Sequence, residues 1–236
     1  MLLEIKDMNT FYESSHVLQD ICLHIGEGEI VALLGRNGMG KSTTLKSIIG
    51  IEKPKSGRIV FQGEDLLGLP PYKIAQAGIG YVPEDRQVFA NLSIEENLRL
   101  GIKAHSRNQG GSQWTLERIF DHFPFMKEKI TLKGRFLSGG QQQMLSIARA
   151  LLGNPSLLLI DEPSEGLAPL IVNEVRDILA EINRAGVSVL LVEHNYKMAT
   201  SVAHRVYLMG KAHIGYEGTV DDLEADAETR SKYLEV

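Results

Sequence analysis

Apolar positions fall in two rhythms along this chain of 236 residues. Short continuous apolar runs recur at residues 30–34, 157–160 and 188–192. Runs of that kind suit strands covered on both faces of a parallel sheet. Residues 2–9 alternate weakly. With residues 17–25 they predict an antiparallel pair that leads, through Gly26-Glu27-Gly28, into the strand at 30–34. Residues 57–61 and 79–82 predict two more strands, the second stopped by Pro83. A hairpin is predicted from 206–209 and 213–216 around Gly210-Lys211.

The second rhythm is helical. Residues 43–49 can run as a helix, and residues 70–78 carry proline at the start and glycine at the end. Ser93-Ile94-Glu95-Glu96 is a capping box, which predicts a helix to about Leu100. Trp114, Leu116, Ile119, Phe120 and Phe123 predict a helix over 114–125. Helices are also predicted over 141–152, from near Leu170 over the amphipathic 171–183, and over the acidic 221–228. Residues 105–112 are polar and glycine-bearing and predict an exposed loop. Strands alternating with helices predict an α/β fold with a mixed central sheet, interrupted by a mostly helical insertion over 95–132.

Composition narrows the class. The chain is 43% hydrophobic and 23% charged, and no apolar run approaches the roughly 20 residues of a membrane span. Its first residues lack a basic region followed by an apolar stretch, so no secretory leader is expected. Cys22 is the single cysteine, which suits a reducing compartment, and the cytoplasm is the expected location. A net charge of −5 offers no bulk argument for nucleic acid binding.

The candidate chemistry sits at strand ends. Gly35-Arg36-Asn37-Gly38-Met39-Gly40-Lys41-Ser42 fits the phosphate-binding pattern G-x-x-x-x-G-K-[ST] between a predicted strand and a predicted helix that opens at Thr43. Glycines let successive N–H groups curl inward on phosphate oxygens, and the helix start adds positive potential. Lys41 is expected to reach the β- and γ-phosphates and Ser42 to ligate Mg²⁺. Upstream, Phe11 or Tyr12 offers a ring for an adenine base; a core aromatic at a strand end is an equally good reading.

Leu137-Ser138-Gly139-Gly140-Gln141 opens another helix with a glycine pair, a second anion-binding start. Asp161-Glu162 closes a buried strand, at the carboxyl edge where open α/β sheets bind ligands. Pro163 argues against these acids merely capping the next helix. Glu193-His194 ends another strand at the same edge. Phosphoanhydride hydrolysis needs a cradle, a metal, a group on the attacking water and a sensor of the γ-phosphate. The expected roles are Ser42, and Asp161 through water, on Mg²⁺, Glu162 as general base, and His194 on the γ-phosphate and on Glu162.

With these motifs in this order, nearly the whole chain resembles the ATP-binding subunit of an ABC transporter. Leu-Ser-Gly-Gly-Gln at 137–141 is the discriminating piece. The resemblance implies one ABC ATP-binding domain over 1–236, a P-loop NTPase core with an N-terminal antiparallel β subdomain and a helical subdomain at about 93–135 that meets the permease. It implies that ATP is the cofactor with Mg²⁺, and that Tyr12 stacks on adenine. It further implies that Ser138 and Gly140 act in trans on ATP held by a second ATP-binding subunit, identical or paralogous. Partners would be transmembrane permease chains and, indirectly, an external substrate-binding protein, with the chain peripheral on the inner face of the membrane. Two departures, Glu84 after Tyr81-Val82-Pro83 and Ala168 after Ser164-Glu165-Gly166-Leu167, resemble the branch that imports branched-chain and other hydrophobic amino acids, or amides such as urea. Glu84 cannot donate an amide hydrogen bond but can ligate or sense Mg²⁺. Other cargoes, lipid export and non-transport ABC ATPases are the alternatives.

Overall fold

A computed structural model describes residues 1–102 and 113–234. The loop predicted at 105–112 lies outside the described residues.

The chain opens with β1 (Leu3–Tyr12) and β2 (Ser15–Ile25), paired antiparallel. β3 (Ile30–Leu34) then delivers the chain to α1 (Lys41–Ile48). β4 (Ser56–Phe61) pairs antiparallel with β1, and β5 (Glu64–Asp65) adds a short edge, giving a four-stranded sheet in the order β2-β1-β4-β5. After α2 (Pro71–Ala77) comes β6 (Ile79–Val82), then α3 (Ile94–Arg99), α4 (Leu116–His122), α5 (Pro124–Glu128) and α6 (Gly139–Leu151). β7 (Leu157–Asp161), α7 (Pro169–Arg184), β8 (Ser188–Glu193), α8 (Tyr196–Thr200), β9 (Arg205–Gly210), β10 (His213–Thr219), α9 (Val220–Ala225) and α10 (Ala227–Tyr233) complete it.

The second sheet has six strands in the order β10-β9-β3-β8-β7-β6. All its pairings are parallel except β9 with β10. Every residue of β3, β7 and β8 is buried. That explains their unbroken apolar pattern, since both faces are covered: one hydrophobic cluster packs α6 and α7 on one face, another packs α1 and β1 on the other. The expected α/β class, with a mixed central sheet beside an antiparallel one, is what the structure has.

The helical insertion is tied at its neck. Ile94 N–H donates to Leu132 O at 2.9 Å and Gly134 N–H to Leu92 O at 2.9 Å. Local differences from the sequence reading have local causes. The helix predicted over 114–125 is two helices, because Pro124 pushes Phe123 out of helical geometry (φ −128°, ψ 70°). Trp114 lies before α4 yet is buried. The acidic C-terminal helix is also two, broken at Asp226, whose carboxylate caps α10 by accepting from Thr229 N–H. β1 extends through Phe11 and Tyr12, so the aromatic pair belongs to a strand rather than to a connection.

Candidate active site

β3, β7 and β8 are adjacent and parallel, so their carboxyl ends share one edge. The register pairs Leu34 with Glu193 and Asp161 with Val192. The loops after these strands therefore converge without any special contact being needed.

Gly40 stands at the N-cap of α1, with no side-chain cap on the helix. The first N–H groups of a helix have no partner within it, so this end is left open to an anion. Gly40 has φ +104°, and a Cβ there would sit 2.8 Å from Leu18 Cδ2. At Gly35 a Cβ would lie 2.4 Å from Met209 O. Both glycines are demanded by close approach.

A cavity of about 430 Å³ opens over this helix start. Asn37, Gly38, Gly40, Lys41, Ser42 and Thr43 line one side of it, Tyr12 and Val17 a second, and Glu84, Glu162 and Glu165 a third. Of the aromatic pair, Tyr12 reaches this cavity, 39% exposed, with its hydroxyl 3.5 Å from Thr43 Oγ1. Phe11 instead stacks on His16 at 4.0 Å under the Lys55 ammonium. Arg36 and Met39 line a separate cavity with Met209, Lys211, Lys232 and Tyr233.

Lys41 is 3% exposed. Its ammonium donates to Gly35 O at 2.9 Å and Arg36 O at 3.2 Å, and pairs with Glu162 Oε1 at 3.1 Å. The other Glu162 oxygen lies 3.0 Å from His194 Nδ1. Burial pushes the Glu162 carboxyl up, but Lys41, with hydrogen bonds from Lys41 and His194, overrides it and holds the group below the usual range. Glu162 has φ +42°, a left-handed conformation uncommon for a side-chain-bearing residue and frequent where a site fixes the backbone. Glu165 shares a hydrogen bond with Glu162 that raises the Glu165 carboxyl above its usual range.

Ser42 Oγ donates to Asp161 Oδ1 at 2.9 Å. Burial raises the Asp161 carboxyl to about 6, with the Ser42 bond opposing and Glu162 and Glu84 adding to the rise. A buried carboxylate against a hydroxyl at the mouth of a phosphate cavity fits a small hard cation that keeps most of its waters. Glu84 is exposed and acts on Asp161 through space. Glu162, Glu165 and His194 form a second donor set, one atom each within 4.8 Å of one another. Lys41 pairs with the Glu162 carboxylate of this set at 3.1 Å.

The 137–141 motif stands apart. Ser138 caps α6 reciprocally with Gln141: Gln141 N–H donates to Ser138 Oγ at 3.3 Å and Ser138 N–H to Gln141 Oε1 at 3.1 Å. Gly139 admits the Arg86 guanidinium, since a Cβ there would lie 2.8 Å from Nη1. Gly140 admits Ile171, with 2.6 Å from a Cβ to Cγ2. Leu137 is buried. None of the five lines the cavity over α1.

Three residues of this region escaped the sequence reading. Glu165 lay in the loop after the acid pair, without a spacing to mark it. Arg86 donates to Glu165 O at 3.3 Å while resting on Gly139, joining three loops that are far apart in sequence. Glu193 was read only as a strand end.

Residues 18–165 match the ABC transporter family. The chain belongs to that family. It is 39% identical to the high-affinity branched-chain amino acid transport ATP-binding protein BraG of Pseudomonas aeruginosa, over 99% of both chains. It is 33% identical to the lipopolysaccharide export system ATP-binding protein LptB of Haemophilus influenzae, over 99% of this chain and 97% of that one. Among solved structures it resembles an ATP-binding subunit of an ABC transporter, with a TM-score of 0.81 and 31% identity over 95% of this chain and 92% of that chain. It also resembles a dimeric ATP-binding cassette in a post-hydrolysis state with ADP and Pi, with a TM-score of 0.78 and 25% identity over 93% of this chain and 99% of that chain. As an ABC cassette the chain is an ATPase.

Proposed function

We propose that this cassette powers uptake of branched-chain or other amino acids through a separate permease. The observation that carries this reading is the identity to the branched-chain amino acid transport protein, which runs end to end. Glu84 and Ala168, the two departures from the general ABC pattern, fit the same branch. Lipid export is the second reading, favoured by the equally complete but lower identity to the lipopolysaccharide export protein. Affinity capture from native membranes tests both. A permease with an amino-acid-binding protein supports import, and lipid-export components overturn it.

The chemistry follows from the cavity. ATP lies with its phosphates on the start of α1, cradled by 35–43, and its base against Tyr12. Lys41 moves from Glu162 to the β- and γ-phosphates. Glu162 then loses the cation that suppresses its basicity, so it becomes a competent general base only once ATP is in place. His194 holds Glu162 and reaches the γ-phosphate. Ser42 and, through water, Asp161 would hold Mg²⁺, with Glu84 lining the same cavity, and the ion would offset phosphate charge there. Ser138 and Gly140, with Leu137, Gly139 and Gln141 framing them, face the ATP of a second cassette, identical or paralogous. Their separation from the chain's own phosphate cavity supports that reading.

The whole chain acts as one ATP-binding domain, with a helical subdomain at about 93–135. Phe89, Leu100, Ile102 and Phe136 are each about half exposed or more, on or beside that subdomain. The neck bonds and Arg149, which lies over the Phe89 ring and whose carbonyl abuts Gly101, bring this apolar set together. It is a docking surface for the permease. No helix among the described residues is long and apolar enough to cross a membrane, so attachment comes through that partner. The external binding protein is met only indirectly, and nucleic acid is not a partner.

A further inference from the structure

Glu193 is a fully buried carboxylate, at 0% exposure, that the chemistry above does not use. It stands at the end of β8, paired in register with Leu34, the last residue before the phosphate loop. Three backbone donors converge on it. Ser164 N–H donates to Oε1 at 3.0 Å, while His194 N–H and Asn195 N–H donate to Oε2 at 3.2 Å and 3.1 Å. One oxygen thus grips the loop that leaves Glu162, and the other grips the loop that presents His194. His194 Nδ1 closes the figure on Glu162 Oε2 at 3.0 Å. The chain from Glu162 to Ser164, the Glu193 carboxylate and His194 therefore make a closed ring.

We propose that Glu193 is a positioning residue for ATP hydrolysis, fixing the general-base loop and the histidine loop in a single frame from beneath. The proposal rests on the assignment of Glu162 and His194 above. Lys41 also restrains Glu162 through their ion pair. Once Lys41 turns to phosphate, His194, the Glu165 hydrogen bond and the backbone frame remain, and the frame runs through Glu193. A carboxylate suits this place because it has only acceptors to offer three donors. The hydrogen bonds from Ser164 and Asn195 oppose the cost of burial, which is the larger effect and leaves the group raised. A glutamine cannot serve both loops, because its NH₂ would face N–H groups on one side.

Glu193→Gln tests this, measured beside Glu162→Gln in steady-state ATPase and ATP-binding assays. Displacing a reacting group by about 1 Å costs on the order of a hundredfold in rate. The expected result is a kcat lower by about 10- to 100-fold, with ATP affinity within about threefold of the parent and the melting midpoint little changed. A parental kcat for Glu193→Gln overturns the proposal while leaving Glu162 as base, provided Glu162→Gln is inactive. A fall in kcat that only follows lost ATP affinity and melting midpoint also overturns it, because the role is then structural. Should Glu162→Gln keep the parental rate, the site assignment itself fails. If Glu193→Gln does not fold, Glu193→Asp keeps the charge, shortens the reach by one methylene and carries the same test.

Discussion

Lys41 and Glu162 hold one another 3.1 Å apart, and both are nearly without solvent. On the proposed roles, ATP binding would draw Lys41 away and release the base in one event. Glu162→Gln is expected to lower phosphate release by at least about a hundredfold while ATP binding persists. Asp161 carries the clearest pH signature. Its carboxyl is raised from 3.8 to about 6, chiefly by burial. A raised acid stabilises the fold below its unfolded value and loses that contribution as pH climbs through about 6, so near neutrality the ionised group costs about 3 kcal/mol. Asp161→Asn is therefore expected to melt higher than the parent in the absence of nucleotide. The gap should widen between pH 4 and pH 7, and the stabilisation by ATP with Mg²⁺ should shrink. Equal midpoints across that range would contradict the burial argument. Lys41, Ser42, Asp161 and Glu162 could be read in the sequence because the chemistry fixes their spacing. Glu193 and Glu165 could not, since their partners are set by folding: the Ser164 N–H that Glu193 holds is 29 residues away in the chain.

At the scale of elements, capping chemistry was legible and breaks were less so. Ser93 with Glu96 forms the box its sequence predicts. Pro124 splits a stretch whose apolar spacing alone reads as continuous, and Asp226 splits the acidic stretch, because neither pattern registers a lost helical φ/ψ at one residue. The insertion depends on Asn97, fully buried, which accepts from Phe89 N–H and donates to Phe89 O, Leu92 O and Ser93 O. Asn97→Ala leaves Phe89 N–H without its acceptor, while the three carbonyls keep backbone donors from Leu92, Gly134 and Asn97. It is expected to cost about 1–3 kcal/mol, seen as a lower urea midpoint with an unchanged slope. Phe136 offers the opposite case, 62% exposed with the Arg135 guanidinium over its ring at 4.9 Å. Phe136→Asp is expected to leave stability and the basal ATPase of the isolated cassette alone and to abolish co-purification with the permease. Retained permease binding would place the docking surface elsewhere.

At the scale of the molecule, the six-stranded order β10-β9-β3-β8-β7-β6 gathers the phosphate loop, Asp161-Glu162 and Glu193-His194 at one edge. The order itself was not readable from the chain, although each strand's existence was. The Ser138 motif is built with equal care, yet its serine and glutamine are spent on capping α6 and its glycines on Arg86 and Ile171, away from the chain's own phosphate cavity. Such a motif makes sense when a neighbour's ATP completes it. The most direct measurement is the mass in solution of the Glu162→Gln chain, alone and with its permease and any paralogous cassette, at saturating ATP and Mg²⁺. The account predicts that ATP drives cassettes into a stable pair and that Ser138→Arg on the same background prevents it. A cassette that binds ATP and stays single in every combination would contradict the shared site.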